Sequence, residues 1–271
     1  MDTATGSIIV EGARVAYSVD GDGDAPVTLI HGFAAHRRWW DAVVTRLRPH
    51  CRVVRLDLTG HGDSDHRDGY DFATWAAEVA GVQAAAFGGA PSLVVGASLG
   101  GHVAIASRSH PDSSTAAVMV LDTRVAGSKW DRPSTWRPVR RVYATREEAL
   151  ERFRLVPAQP MDPERLRALA SLSVREVADG WTWKHDHRLH PTDLERPSLE
   201  GLGVPLTVAH GEHSPVMTAE MARSAALASG SAATWHTIAG GHHHVILDSP
   251  EQVAGLIISA SARHGSDRAV A

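Results

Sequence analysis

The sequence predicts an α/β fold in which helices cover both faces of a mainly parallel, eight-stranded sheet and a helical lid is inserted after the sixth strand. Short β-branched runs alternate with segments of helical periodicity along most of the chain, a pattern typical of a parallel sheet with helices on both faces. One long segment in the second half of the chain lacks strand-like runs. The length of 271 residues, of which 43% are hydrophobic and 21% charged, is sufficient for one large core.

Eight apolar runs have the length and composition of strands, and the first two flank a glycine-containing turn as the strands of a hairpin do. These runs are residues 8–10, 15–19, 27–30, 52–56, 93–95, 117–121, 206–209 and 234–238. Apolar residues at helical spacing occur between most of them, in residues 40–47, 75–87, 99–109, 219–227 and 252–258.

The segment from about residue 124 to 203 is predicted to be an insertion made of helical pieces, such as "TREEALERFRL" and "DPERLRALASLSVREV", separated by prolines. It holds four of the eight tryptophans, namely Trp130, Trp136, Trp181 and Trp183. An insertion between two strands favours a lid over the carboxyl edge of the sheet, where ligands of open α/β sheets bind. We therefore expect Trp181 and Trp183 to contact an apolar substrate; alternatively, the tryptophans pack a small core of the insertion itself.

The predicted domain organisation is a core of residues 1–123 and 204–264, a lid of residues 124–203 and a disordered tail of residues 265–271. The net charge of −4 argues against a nucleic-acid partner, because phosphate binding requires a basic surface. No secretory signal pattern and no run of 18 apolar residues is found, so we expect a cytoplasmic protein without a membrane partner, as a monomer or homodimer. The single cysteine, Cys51, is expected in the core.

The stretch "VVGASLGGHVAIAS", residues 94–107, places one serine among glycines between a strand-like run and a helical one. Strand and helix backbones pass close together at such a turn, so its flanking positions favour glycine. Ser98 is then exposed at the tip, beside the backbone amide of Leu99 at a helix N-terminus. This arrangement is typical of a nucleophile with one donor of an oxyanion hole. The alternative is a glycine-rich turn with an incidental serine.

Four motifs in register, "LIHGFAAHRRWW", "DLTGHGDSD", "GASLGG" and "GGHHHVILDSP", resemble those of the α/β-hydrolase family, in particular of single-domain members with a helical cap. The resemblance covers roughly residues 8 to 262. It implies that the amide of Phe33, after the third strand, supplies the second oxyanion donor, and that His31 lies among the substrate-binding residues. His61 in "GHGDS" is interpreted as a structural histidine of a turn.

The resemblance also implies a general base late in the chain, because the catalytic order in this fold is serine, acid, histidine. The family usually places this histidine five residues before an acidic residue, which here is Asp248. This spacing selects His243, with His242 and His244 as alternatives. A metal site is the other interpretation of three consecutive histidines, but adjacent side chains diverge and no further ligands accompany them at suitable spacing, so no metal is expected.

The acid departs from the common pattern of the family. Many members carry an aspartate after the seventh strand, where this chain reads "HGEHSPV" with Ser214 in that place. Some branches of the family instead take the acid from the end of the sixth strand, where this chain has Asp122 in "VMVLDTR". We predict Asp122 as the acid. Glu212, a lid residue such as Asp186, or no acid at all remain alternatives.

These observations predict a serine hydrolase that cleaves a small apolar carboxylic ester, lactone or thioester through an acyl-enzyme intermediate, without a cofactor. A lyase or carbon–carbon bond hydrolase using the same residues is one alternative. A non-catalytic binder of small molecules is another, favoured by the missing acid after the seventh strand. An aspartate nucleophile, as in dehalogenases and epoxide hydrolases, does not match Ser98.

Overall fold

The computed structural model describes residues 3–125, 139–190, 194–230 and 232–266. Ten strands lie in these ranges: β1 Ala4–Val10, β2 Ala13–Asp20, β3 Ala25–Ile30, β4 Cys51–Leu56, β5 Ser92–Ala97, β6 Thr115–Leu121, β7 Val174–Val177, β8 Gly180–Trp183, β9 Leu206–Gly211 and β10 Ala233–Ile238. The helices of the same ranges are α1 Asp41–Leu47, α2 Phe72–Phe87, α3 Leu99–Ser107, α4 Arg146–Glu151, α5 Pro163–Ser173, α6 Ala219–Ala228, α7 Val245–Asp248 and α8 Pro250–Ser266.

Eight strands form one sheet in the order β1-β2-β4-β3-β5-β6-β9-β10. The hairpin strands β1 and β2 pair antiparallel, and β2 pairs antiparallel with β4. All the other neighbours are parallel. The predicted mainly parallel, eight-stranded sheet is therefore confirmed, and the carboxyl ends of six strands meet at one edge.

Helices cover both faces of the sheet because neighbouring residues of each buried strand point to opposite sides. Val53 and Val95 belong to a core cluster that contains residues of α1 and α8, together with Trp40. Val54 belongs to a second cluster, which contains residues of α2, α3 and α6, together with Trp75. Both tryptophans are fully buried.

The turn between β5 and α3 is tight enough to exclude side chains at three positions. A Cβ atom at Gly96 would lie 1.9 Å from the carbonyl oxygen of Gly100, and one at Gly100 would lie 2.4 Å from that of Ile30. A Cβ atom at Gly101 would lie 2.1 Å from Oγ1 of Thr123. The helix therefore passes against β5, the end of β3 and the residue that follows β6, which fixes Ser98 at their common edge.

The insertion between β6 and β9 is only partly helical, which corrects the prediction of a helical lid. Helices α4 and α5 form where helices were predicted, and each has a side-chain cap, Thr145 and Asp162 respectively. Residues 174–177, predicted to continue the helix, instead form β7, which pairs antiparallel with β8. The β-branched Val174 and Val177 favour a strand, and Gly180, at φ +135°, allows the chain to reverse.

The insertion packs against loops that leave the carboxyl edge of the sheet. Its Asp186 amide donates to Gly60 O (2.7 Å) in the loop after β4. Oγ of Ser173 lies 3.1 Å from Nε2 of His36, in the loop after β3. Gln159 contacts the segment after β10 through His244 N, which donates to its Oε1 (2.8 Å). The insertion thus lies over the edge that carries Ser98.

The remaining expectations concern two tryptophans of the insertion, the C-terminal tail and membrane-spanning helices. Trp130 and Trp136 lie outside the described residues, as do residues 267–271 of the predicted tail. Helix α8 continues to Ser266, two residues into that tail. Within the described ranges, no helix is both long and apolar enough to cross a bilayer.

Replacing Gly96 with alanine should lower the free energy of unfolding by about 3 kcal/mol, because the new methyl group meets a backbone oxygen that cannot move without shifting α3. Gly69→Ala is the matched control, since a Cβ atom there has nothing within 4 Å and both changes restrict the unfolded chain equally. Urea denaturation measures both. Equal stability of the two variants would contradict the steric account of this turn.

Candidate active site

Ser98 is held at the tip of the turn between β5 and α3 in a strained backbone conformation, with φ 52° and ψ −117°. Its amide donates to Leu121 O (2.9 Å), and its carbonyl oxygen accepts from Gly101 N (3.0 Å) and from Thr123 Oγ1 (3.0 Å). A residue other than glycine persists at positive φ only where the surrounding structure enforces it, and such strain clusters at functional sites. These three hydrogen bonds, with the excluded side chains around the turn, enforce it here.

The two amides predicted to form an oxyanion hole lie on either side of this turn. Leu99 is the first residue of α3, so its amide has no partner within the helix. Phe33 follows Gly32, where a Cβ atom would lie 3.4 Å from Cβ of Ser98. The loop after β3 therefore passes within van der Waals distance of Ser98, as a second donor requires.

Asp122 directly follows β6 and is 1% exposed. Its amide donates to Ala209 O (2.7 Å) of the neighbouring strand β9. Its carboxylate accepts three hydrogen bonds, from Gly211 N (2.8 Å) on Oδ2, and from Ser214 Oγ (2.6 Å) and His243 Nδ1 (2.7 Å) on Oδ1. These three donors fix the orientation of the carboxylate, with Oδ1 toward the ring of His243.

The structure brings Asp122 and His243 together. Ser98 lies directly after β5, the strand that pairs with β6. Ser98 and Asp122 each follow one member of the paired residues Ala97 and Leu121 of β5 and β6. Within the described ranges, Asp122 is the only hydrogen-bond partner of the His243 ring, so no hydrogen bond joins that ring to Ser98. Contacts of this kind are often long in unliganded enzymes and shorten when substrate binds.

The two neighbouring histidines have other partners. His242 Nδ1 lies 3.0 Å from Asp248 Oδ2, and the same oxygen accepts from the His242 amide (2.8 Å). His244 packs edge-on against Trp39, and burial lowers the pKa of His244 to about 3. Of the three histidines, His243 is the one whose ring contacts Asp122.

The alternative acids are used elsewhere in the structure. Glu212 is exposed and accepts from Gly240 N (2.8 Å) in the loop after β10. Asp186 accepts from Tyr70 Oη (2.7 Å) and from Arg188 Nη2 (2.8 Å). Neither carboxylate contacts His243, and Asp122 does.

His31 does not offer the substrate contact that was expected of it. Its side chain is fully buried, Nδ1 donates to Gly32 O (2.7 Å) and Nε2 accepts from Leu58 N (3.1 Å). Burial lowers the pKa of this imidazole, consistent with the neutral ring that these two bonds require. His31 thus ties the loop after β3 to the loop after β4 and holds Phe33 in place.

A cavity of about 530 Å³ lies between the insertion and the loops after β3 and β4. Phe33 and Trp183 line it, whereas Trp181 does not and instead packs under the Arg146 guanidinium (5.9 Å). Trp183 also contacts Tyr143 and Phe153 within the insertion, so it packs the core of the insertion as well as lining the cavity. The lining is mixed, because the cavity walls also carry four arginines among the described residues, Arg140, Arg141, Arg175 and Arg188.

Two contributions to the site were not foreseen from the sequence. Thr123 Oγ1 lies within hydrogen-bond distance of both Ser98 O and Leu121 O, and so links the serine turn to the residue before the acid. No role in the site was predicted for Ser214, but its hydroxyl donates to Asp122. A hydroxyl beside a predicted acid is a weak signal, because serine and threonine are common in turns for local reasons.

No group of three or more histidine, cysteine, aspartate or glutamate side chains within the described ranges is arranged as a metal ion would need. The three consecutive histidines illustrate the reason, since His242 and His243 bond to different carboxylates.

Comparisons with known proteins show the family and the fold of this chain. The model of a family described as the alpha/beta hydrolase family matches residues 29–256. A pimeloyl-acyl-carrier-protein methyl ester esterase of Yersinia pestis is 36% identical over 60 residues, which are 22% of this chain and 23% of that protein. The chain therefore spans only about a fifth of the length of the curated relatives it matches.

Two solved structures share the fold over nearly their whole length. The thioesterase domain from the curacin biosynthetic pathway has a TM-score of 0.75 at 21% identity and covers 95% of this chain and 100% of its own. A thermophilic esterase from Thermogutta terrifontis has a TM-score of 0.72 at 20% identity and covers 97% and 99% respectively. Identities this low establish the fold alone.

Proposed function

The chain belongs to the alpha/beta hydrolase family, and we propose that it hydrolyses a small carboxylic ester, lactone or thioester through an acyl-enzyme intermediate on Ser98. The observation that carries the proposal is the buried hydrogen bond of 2.7 Å between His243 Nδ1 and Asp122. An imidazole held through Nδ1 presents Nε2 as the general base. The esterase activities named for its relatives favour an ester over a carbon–carbon bond as the scissile group.

In the proposed reaction, Ser98 Oγ attacks the carbonyl carbon of the substrate while His243 Nε2 takes the hydroxyl proton. The new negative charge falls on the carbonyl oxygen, which accepts from the amides of Leu99 and Phe33. Each such donor is worth about 2.7 to 4 kcal/mol of barrier. Collapse of the tetrahedral intermediate breaks the bond to the alcohol or thiol, which leaves with the proton from His243.

The second half of the proposed reaction, hydrolysis of the acyl-enzyme, returns the enzyme to its starting state. A water molecule attacks the acyl-enzyme while His243 takes one of its protons. The intermediate then collapses, releases the carboxylic acid and returns the proton to Ser98. Asp122 orients the ring through Nδ1 and stabilises the imidazolium that forms twice in the cycle.

Ser98 should form a covalent adduct with a fluorophosphonate probe, because an activated serine beside two amide donors attacks this electrophile. Intact-protein mass spectrometry measures the adduct, and Ser98→Ala should abolish it. Ser107→Ala is the control, since Ser107 is buried on α3 and bonds to Ala104 O. An adduct that survives Ser98→Ala would contradict the assignment of the nucleophile.

Replacing Asp122 with asparagine should lower kcat on a p-nitrophenyl ester by about 10⁴-fold, because the amide no longer holds the imidazole in the required tautomer. Glu212→Gln is the control and should leave kcat close to that of the wild type. The double variant Asp122→Asn with Ser214→Asp should recover part of the loss, since it moves the charge to the neighbouring strand. If Asp122→Asn retained more than about a tenth of the activity, Asp122 would not be the acid.

Ser214→Ala should lower kcat about two- to tenfold and leave KM unchanged, because one net hydrogen bond to the Asp122 carboxylate is lost. Steady-state kinetics on the same ester separates the two constants. Ser214→Thr should restore the donor and most of the activity. A change in KM alone would instead indicate that Ser214 contacts the substrate.

A further inference from the structure

The cavity between the insertion and the core, here called the arginine cavity, is lined by Arg140, Arg141, Arg175 and Arg188. Its volume of about 530 Å³ suits a small molecule. Phe33, whose amide is the proposed second oxyanion donor, also lines it. A ligand in this cavity therefore lies next to the loop that receives the scissile carbonyl.

The charges of the described residues that line the cavity do not balance. Four of these residues are arginines, and Asp186 is the one that carries a carboxylate. Arg188 is committed to that carboxylate through Nη2 (2.8 Å), and Arg140 reaches Asp179 (3.4 Å) outside the lining. Two guanidinium groups, those of Arg141 and Arg175, are left without a carboxylate partner within the described ranges.

Arg175 is the more constrained of the two. Its Nε is buried and has no hydrogen-bond partner among the described residues, and an unsatisfied buried donor is costly. Its Nη2 lies 3.3 Å from His66 Nε2, but that same nitrogen lies 3.1 Å from Lys184 O. If His66 Nε2 donates to the carbonyl oxygen, it cannot accept from Arg175, and the guanidinium then has no acceptor among the described residues.

The rest of the lining includes apolar side chains, namely Phe33, Trp183, Val139 and Leu189. A planar guanidinium binds a carboxylate through two parallel hydrogen bonds, and these apolar side chains can pack against methylene groups. We propose that the arginine cavity binds a carboxylate at the far end of an aliphatic acyl chain, so that the preferred substrate is a half-ester or half-thioester of a dicarboxylic acid. This inference rests on the proposed ester hydrolysis for its reaction and on the cavity for its specificity.

The first experiment compares two p-nitrophenyl esters with acyl chains of equal length, the mono-ester of adipic acid and the ester of hexanoic acid. The adipate ester ends in a carboxylate, whereas the hexanoate ester ends in a methyl group. Succinate with butanoate and suberate with octanoate extend the comparison to other chain lengths. The wild-type kcat/KM should favour the charged ester about tenfold at the best length. No preference at any length would overturn the inference.

The second experiment assigns the preference to residues. The double variant Arg141→Gln with Arg175→Gln should raise KM for the charged ester at least about tenfold and leave the neutral ester unchanged. Arg167→Gln is the matched control, because Arg167 lies on the insertion, pairs with Glu147 and does not line the cavity. Arg175→Lys keeps the positive charge but lacks the planar guanidinium. Its KM for the charged ester should therefore lie between those of the wild type and the double variant. Equal losses of activity on both esters would indicate that these arginines support folding and do not determine substrate specificity.

The third experiment separates this inference from the proposed reaction. Ser98→Ala lacks the nucleophile, and calorimetry should show that it binds adipate more tightly than hexanoate, a difference lost in the arginine double variant. If the wild type cleaves esters but Ser98→Ala binds both acids equally, the cavity inference fails and the proposed reaction stands. If arginine-dependent adipate binding occurs but no ester is cleaved, the proposed reaction fails and the carboxylate site stands.

Discussion

The close approach of α3 to the ends of β3 and β5 is the constraint on which the rest of the site depends. It is possible only because Gly96 and Gly100 carry no side chain where the two backbones meet. The same approach forces Ser98 into a positive φ and leaves the first amide of the helix without an intrahelical partner. The strain at Ser98 and the adjacent donor are thus two results of one packing arrangement.

The second feature that organises the site is the buried carboxylate of Asp122, which links the ends of two neighbouring strands. Asp122 directly follows β6, yet it accepts hydrogen bonds from Gly211 and Ser214, which end and follow β9. The loop after β9 therefore contributes hydrogen-bond donors at the place where the family resemblance would put the charge. A proposed triad with its acid on β6 remains compatible with the usual position of the histidine because the two strands are neighbours in the sheet.

Much of this could be predicted from one sequence, because strand runs, the glycines of the serine turn and the order of serine, acid and histidine are local patterns. The contact of Asp122 with His243 agrees with the prediction, while their catalytic roles stay predictions. The predictions from sequence were wrong where packing between residues distant in the chain determines the local structure. Residues 174–177 formed a strand through pairing with β8, His31 was buried by the loop after β4, and the arginines of the cavity come together from segments far apart in sequence.

The position of Asp122 also determines how the insertion could be exchanged. The chain leaves the sheet for the insertion directly after Thr123, whose hydroxyl contacts the Ser98 carbonyl oxygen. A graft of a different insertion must therefore join downstream of that residue, whereas the return junction before β9 carries none of the proposed catalytic side chains. The two ends are unequal: a change of register up to Thr123 would displace the hydroxyl that contacts Ser98, so the linker before β9 is the place to vary length when specificity is redesigned.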